Sequence, residues 1–241
     1  MTTSHPEPES AWEYVTALAG GLAHEIKNPL STIKVNLQLL AEDWGEPQTP
    51  KEKRTVRKLQ VLQSEVQRLS QTLEDFLRFT RVERMELRPT DLNDVTAEVA
   101  EFVGPELDRA GIELREQYAR SLPLCMADAK LLKQAVLNII LNAQQAMPDG
   151  GELILRTSLD DGHVVIEIID TGKGVPEKLR DKIFGPFFST KKDGSGLGLV
   201  VTKRIIDQHG GAVSFVSEQD TGTDFVIRIP QAPEDTDGQA T

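Results

Sequence analysis

A chain of 241 residues has room for two modest domains. Its formal charge of -11 argues against a DNA-binding surface, and its 5% aromatic content argues against a stacking platform for single-stranded nucleic acid. The lone Cys125 cannot form an internal disulfide and fits a reducing, cytoplasmic setting. No apolar run approaches the roughly 18–20 residues that span a bilayer, and the acidic, Pro-containing N-terminus does not read as a signal peptide.

Residues 1–10 and 233–241 are polar and rich in Pro or Gly, and read as disordered tails. From Trp12 to Trp44 the pattern is helical, with apolar residues Val15, Leu18, Leu22, Ile26, Leu30, Ile33, Leu37 and Leu40 close to a heptad seam. Gly45 to Pro50 forms a breaker-rich turn. A second helix is predicted from about Lys51 to Arg84, with a seam of Leu59, Leu62, Val66, Leu69, Leu73 and Phe76. Two such helices make a hairpin with too little inner surface to stand alone. Pairing two hairpins into a four-helix bundle buries both seams, which predicts a homodimer over residues 11–84.

Beyond Arg88-Pro89 strands and helices alternate, marking a second domain over 85–232. Asp91 is placed to cap a helix ending near Gly111. Strands are predicted at 112–117 and 123–127, then a helix from Asp128 to Met147 and strands near 152–158 and 163–169. A glycine-rich loop region over 171–196, a helix over 197–209 and strands near 211–217 and 223–229 complete the domain. The pattern predicts an α/β sandwich with one helix layer on a mixed sheet, whose two hairpins are antiparallel.

Five stretches carry chemistry. His24 sits on the first predicted helix, followed by Glu25 and, four residues on, by Asn28. An imidazole is a competent nucleophile near neutral pH, and a carboxylate on one ring nitrogen raises the reactivity of the other. Pro29 leaves the Glu25 carbonyl without its amide partner, so the helix should bend beyond the histidine. His5, His163 and His209 read as a tail, a hairpin and a helix-end residue, the last favouring the helix C-terminus electrostatically. The helix 128–147 carries Gln134, Asn138 and Asn142 at steps of four beside an apolar face. A neutral amide oxygen can ligate Mg2+ while phosphate and water complete the octahedron. Asp170 ends an apolar strand and precedes Thr171-Gly172-Lys173-Gly174; its carboxylate can accept the amino hydrogens of adenine, and the glycines allow close backbone approach. Phe184-Gly185-Pro186-Phe187-Phe188 is an aromatic cluster suited to a small core under a loop. Gly194-Ser195-Gly196-Leu197-Gly198 precedes a helix, whose N-terminus and amides can receive phosphates.

In this order the stretches resemble the conserved boxes of the sensor histidine kinases of two-component signalling, over nearly the whole chain. The resemblance implies a dimerisation and histidine-phosphotransfer hairpin followed by a Bergerat-type ATP-binding domain, shared with gyrase-type ATPases, MutL and Hsp90 chaperones. It implies phosphorylation at His24, assistance from Glu25, and support from Asn28 for dephosphorylating a partner. ATP and Mg2+ are the implied cofactors, with Mg2+ ligated by Asn142, Asn138 near the triphosphate, Asp170 on adenine, and Thr223 holding adenine through water. It also implies nucleotide binding at Gly172 and Gly174, and phosphate or lid contacts at Gly194, Ser195, Gly196, Leu197 and Gly198. The implied partner is a response-regulator receiver domain, and the details are similar to the nitrogen-regulation branch. Many such kinases carry Lys where this chain has Gln145, which leaves Lys191 as the expected neutralising cation. Water-hydrolysing relatives place Glu where this chain has Asn138, and an amide cannot act as general base for water. The alternatives are a conformational ATPase of the gyrase or chaperone kind, and a nucleotide-binding scaffold without chemistry.

Overall fold

The computed structural model describes residues 8–44, 47–80, 85–189 and 196–233. They divide into a helical unit and an α/β unit.

The helical unit is a hairpin of α1 (Pro8–Asp43) and α2 (Pro50–Thr80). Helix α1 begins at Pro8, inside the segment expected to be a tail; residues 1–7 and 234–241 lie outside the described residues. Pro29 lies within α1 without ending it. Helix α2 starts on a capping box: Glu52 N–H donates to Thr49 Oγ1 at 3.2 Å, and Glu52 Oε2 accepts the Thr49 and Gln48 amides at 3.0 and 2.8 Å. Pro50 then fills the first helical position, where a missing N–H costs nothing.

Among the described residues the hairpin core is small. Leu37, Leu59 and Val66 are buried, with Leu30 packed against them. Ile26, Ile33 and Leu40 of the same seam remain 46% exposed, and Leu62 and Leu69 remain 51% and 54% exposed. Register between the helices is held by Lys27–Glu74 at 3.2 Å, Lys34 Nζ to Gln67 Oε1 at 2.8 Å, and Gln63 Nε2 to the Leu37 carbonyl at 3.2 Å.

The α/β unit runs β1 (Arg88–Thr90), α3 (Leu92–Arg109), β2 (Ile112–Gln117), β3 (Cys125–Ala127), α4 (Ala129–Ala146), β4 (Gly151–Asp160), β5 (His163–Asp170), α5 (Gly198–Gln208), β6 (Ala212–Glu218) and β7 (Gly222–Pro230). The main sheet has the order β2-β4-β5-β7-β6, with β2 parallel to β4 and the other pairs antiparallel. Period-2 alternation puts Leu153, Leu155, Ile166, Ile168, Phe225 and Ile227 on the buried face, where α4 and α5 supply Ile139, Ile140 and Ile206. The opposite face carries a lattice of charges that includes Arg115–Glu152 at 3.1 Å and Arg156–Glu167 at 3.6 Å.

Two short elements were not anticipated. Strand β1 pairs antiparallel with β3 despite Pro89, because proline is tolerated where its missing N–H faces away from a ladder. A 3-10 helix over Glu177–Lys182 lies within the expected loop.

The predicted cap at Asp91 is present, and Asp128, expected only as the start of a helix, caps α4 in the same way. Asp91 accepts the Asn93 amide at 2.8 Å, and Asp128 Oδ1 accepts Lys130 N and Leu131 N at 3.1 and 3.2 Å. His209 differs from expectation. It is 7% exposed, its Nδ1 donates to the Ile205 carbonyl at 2.7 Å, and its Nε2 accepts the Asp128 amide at 3.0 Å. An accepting Nε2 carries no proton, so the ring works as a neutral strut between the end of α5 and the start of α4. It is not a cation at a helix terminus.

Candidate functional site

Helix α4 owes its position to two faces of unlike character. Leu132, Ala135, Val136, Ile139, Ile140 and Ala143 are buried, while Asn138 and Asn142 lie partly buried one turn apart on another side. Asn138 Nδ2 donates to the Gly198 carbonyl at 3.2 Å, which joins this polar stripe to the first residue of α5. Ahead of it, Gly196 takes a left-handed φ of +69° and Leu197 is fully buried. Lys191, Gly194 and Ser195 lie outside the described residues.

Asp170, the last residue of β5, is 4% exposed and stands opposite Thr223 of β7, itself 5% exposed. A buried carboxylate must be compensated by donors. Gly172 N–H supplies one, to Oδ1 at 2.9 Å. Thr223 and Asp170 share the buried side of the sheet, and Asp224 turns to the charged side. There burial, reinforced by Glu167, raises the Asp224 carboxyl above its ordinary value.

The loop after Asp170 is fastened along its length. Lys173 N–H donates to the Ala146 carbonyl at 3.2 Å, Asp220 N–H to the Lys173 carbonyl at 2.9 Å, and Val175 N–H to Ser217 Oγ at 2.8 Å. Two glycines make this docking possible. Gly174 has φ +62°, and a Cβ there would lie 2.0 Å from the Glu218 carbonyl oxygen. Gly222 has φ +135°, and its Cβ would lie 1.9 Å from the Asp170 carbonyl oxygen. Only glycine lets the loop, the β6–β7 turn and the end of β5 close on one another.

Ser217 is the hub of this contact, and sequence reasoning missed it. Its hydroxyl accepts from Val175, donates to the Gly222 carbonyl at 2.9 Å and lies 3.0 Å from Thr223 Oγ1; its carbonyl accepts from Arg180 Nη2. A usable signal existed, since Ser217 continues the inward positions Val213 and Phe215 of β6. Gly222 was also missed as a site residue. Phe184 packs edge-on to Phe215 at 6.0 Å, which anchors the aromatic cluster, while Phe187 is 62% exposed with φ +58°.

On the helical unit, His24, Glu25 and Asn28 all fall on α1. Glu25 and Asn28 are exposed; the His24 side chain is outside the described residues.

Residues 15–84 match the family model of the His Kinase A (phospho-acceptor) domain, and residues 127–233 match that of the histidine kinase-, DNA gyrase B- and HSP90-like ATPases. The catalytic domain of the histidine kinase ThkA is 30% identical, with a TM-score of 0.57 over 62% of this chain and 99% of that one. The chain belongs to the sensor histidine kinase family. Full-length ShkA in complex with AMPPNP is 29% identical, with a TM-score of 0.70 over 90% of this chain and 46% of that one. The sensor histidine kinase ZraS of Escherichia coli (strain K12) is 34% identical over 213 residues, 88% of this chain and 45% of ZraS. The chain thus spans a little under half the length of that relative. The phospho-acceptor match contains His24, Glu25 and Asn28, and the ATPase match contains every nucleotide-site residue named above. No helix among the described residues is long and apolar enough to cross a membrane.

Proposed function

We propose that this chain is an ATP-dependent protein-histidine kinase that phosphorylates itself on His24 and passes the phosphoryl group to an aspartate of a response-regulator receiver. The observation that carries the reading is the buried pair Asp170 and Thr223, in register and walled by a loop that only Gly174 and Gly222 permit. Such a wall offers hydrogen-bond acceptors to the amino group of a purine.

Asn138 is tied to the start of α5, whose N-terminal amides favour phosphate, and Asn142 lies one turn further along the same polar stripe of α4. Asn142 would be the protein ligand of Mg2+, which supplies charge neutralisation to phosphoryl oxygens when bound. Lys191 would add a cation. His24 attacks the γ-phosphorus in line; an N–P bond forms and the bond to the β-phosphate oxygen breaks, releasing ADP. Glu25 orients the imidazole and holds its remaining proton. At the Asn138 position an amide replaces a general base, which disfavours water as the acceptor. Asn28 supports the reverse activity, orienting water toward the phosphorylated receiver.

The exposed residues of the hairpin seam support a homodimer through a four-helix bundle, since Ile26, Ile33, Leu40, Leu62 and Leu69 are too apolar to remain in water. We assign the chain to the cytoplasm, where ATP and a receiver are available.

The test is incubation with γ-labelled ATP and Mg2+, comparing wild type with His24→Ala and Asn142→Ala. Acid-labile, alkali-stable label is expected in wild type and in neither variant. Label surviving His24→Ala refutes the nucleophile. Released phosphate without labelled protein favours the conformational ATPase, and binding without either favours the scaffold.

A further inference from the structure

Ser217 has one proton and two lone pairs. The Gly222 carbonyl, 2.9 Å away, can only accept, so the Ser217 proton goes there. One lone pair takes the Val175 amide at 2.8 Å. Thr223 Oγ1, at 3.0 Å, then meets the other lone pair and must donate its own proton. Ser217 and Thr223 are 6% and 5% exposed, so water is poorly placed to reverse this order.

We infer that Ser217 is a positioning residue that sets the polarity of the base site, by taking the Thr223 proton and leaving Thr223 an acceptor toward the ligand. This rests on the nucleotide-binding reading above. With Asp170 an acceptor beside it, the wall offers lone pairs alone. It selects a purine whose facing edge carries an amino group and rejects one presenting a keto oxygen. In the absence of the Ser217 hydroxyl, the Thr223 proton is free to turn toward the ligand, and the wall loses its single sign.

The experiment measures affinities of the full chain, with Mg2+, for ATP, GTP and purine riboside triphosphate, which lacks the 6-amino group. Wild type prefers ATP to both. Ser217→Ala narrows both preferences about fivefold, the worth of one neutral hydrogen bond, and Ser217→Thr, which keeps the hydroxyl, retains them. A purely structural role for Ser217 would weaken all three ligands alike and leave the ratios untouched, which overturns the inference. Thr223→Val, which spares the Ser217 bonds to Val175 and Gly222, narrows the ratios to the same extent and adds little to Ser217→Ala. Unchanged ratios in Thr223→Val, or additive effects in the double variant, also overturn it. Wild type that fails to bind ATP removes the underlying reading as well; wild type that binds ATP without any preference refutes the polarity alone.

Discussion

Replacing His209 by Ala removes the strut between α5 and α4. The Ile205 carbonyl loses little, because it still accepts the His209 backbone amide at 3.2 Å. The Asp128 amide loses its acceptor, which costs about 1–3 kcal/mol for a desolvated donor. Emptying the volume of a ring only 7% exposed brings the expected loss to about 2–4 kcal/mol. His209→Gln restores an acceptor and should recover about 1 kcal/mol. Urea unfolding followed by far-UV circular dichroism measures both, with a midpoint shift of about 1–2 M for Ala at an ordinary denaturant slope. Trp12 and Trp44 are the only tryptophans and both belong to the N-terminal helical segment, so their fluorescence reports the other unit as a control. A loss below about 0.5 kcal/mol for Ala, or a Gln variant no better than Ala, would refute the strut.

Gly222→Ala drives a Cβ into the Asp170 carbonyl, so nucleotide affinity should fall at least about tenfold in a calorimetric titration. Gly162→Ala, at φ +73° with nothing within 4 Å, is the control for backbone strain and should leave affinity intact. The amides of Thr49 and Gln48 hold the Glu52 carboxyl below its ordinary 4.5. A lowered folded value means that the cap contributes fully above the ordinary value and is lost as pH falls through the lowered one. Glu52→Gln should remove that pH dependence of α2 helicity, seen by circular dichroism in acid titration. Burial, helped by Asp91, pushes the Cys125 thiol up to about 11 from 9.0. A disulfide reagent at pH 8 should therefore label the native chain about a hundredfold more slowly than the urea-unfolded chain.

Local physics made much of this protein legible from its residues. Asp91 announced its helix because a side-chain cap needs only the next two or three amides. The period-2 apolar strands and the antiparallel hairpin at Asp161-Gly162 were equally plain, since turn and alternation lie within a few residues. The order of the motif stretches from His24 to Gly198 pointed to the family that the domain matches show, because such stretches are short and local. Strand β1 was hidden because Pro89 reads as a breaker until its partner β3, thirty-odd residues on, is placed beside it. The role of His209 depended on an amide 81 residues earlier, so helix-end electrostatics was the wrong local rule. Ser217 gains its meaning from Val175, Gly222 and Thr223 together. Hydrogen-bond direction at such a hub depends on which donors and acceptors converge in space, and convergence is a property of the folded chain rather than of its spacing.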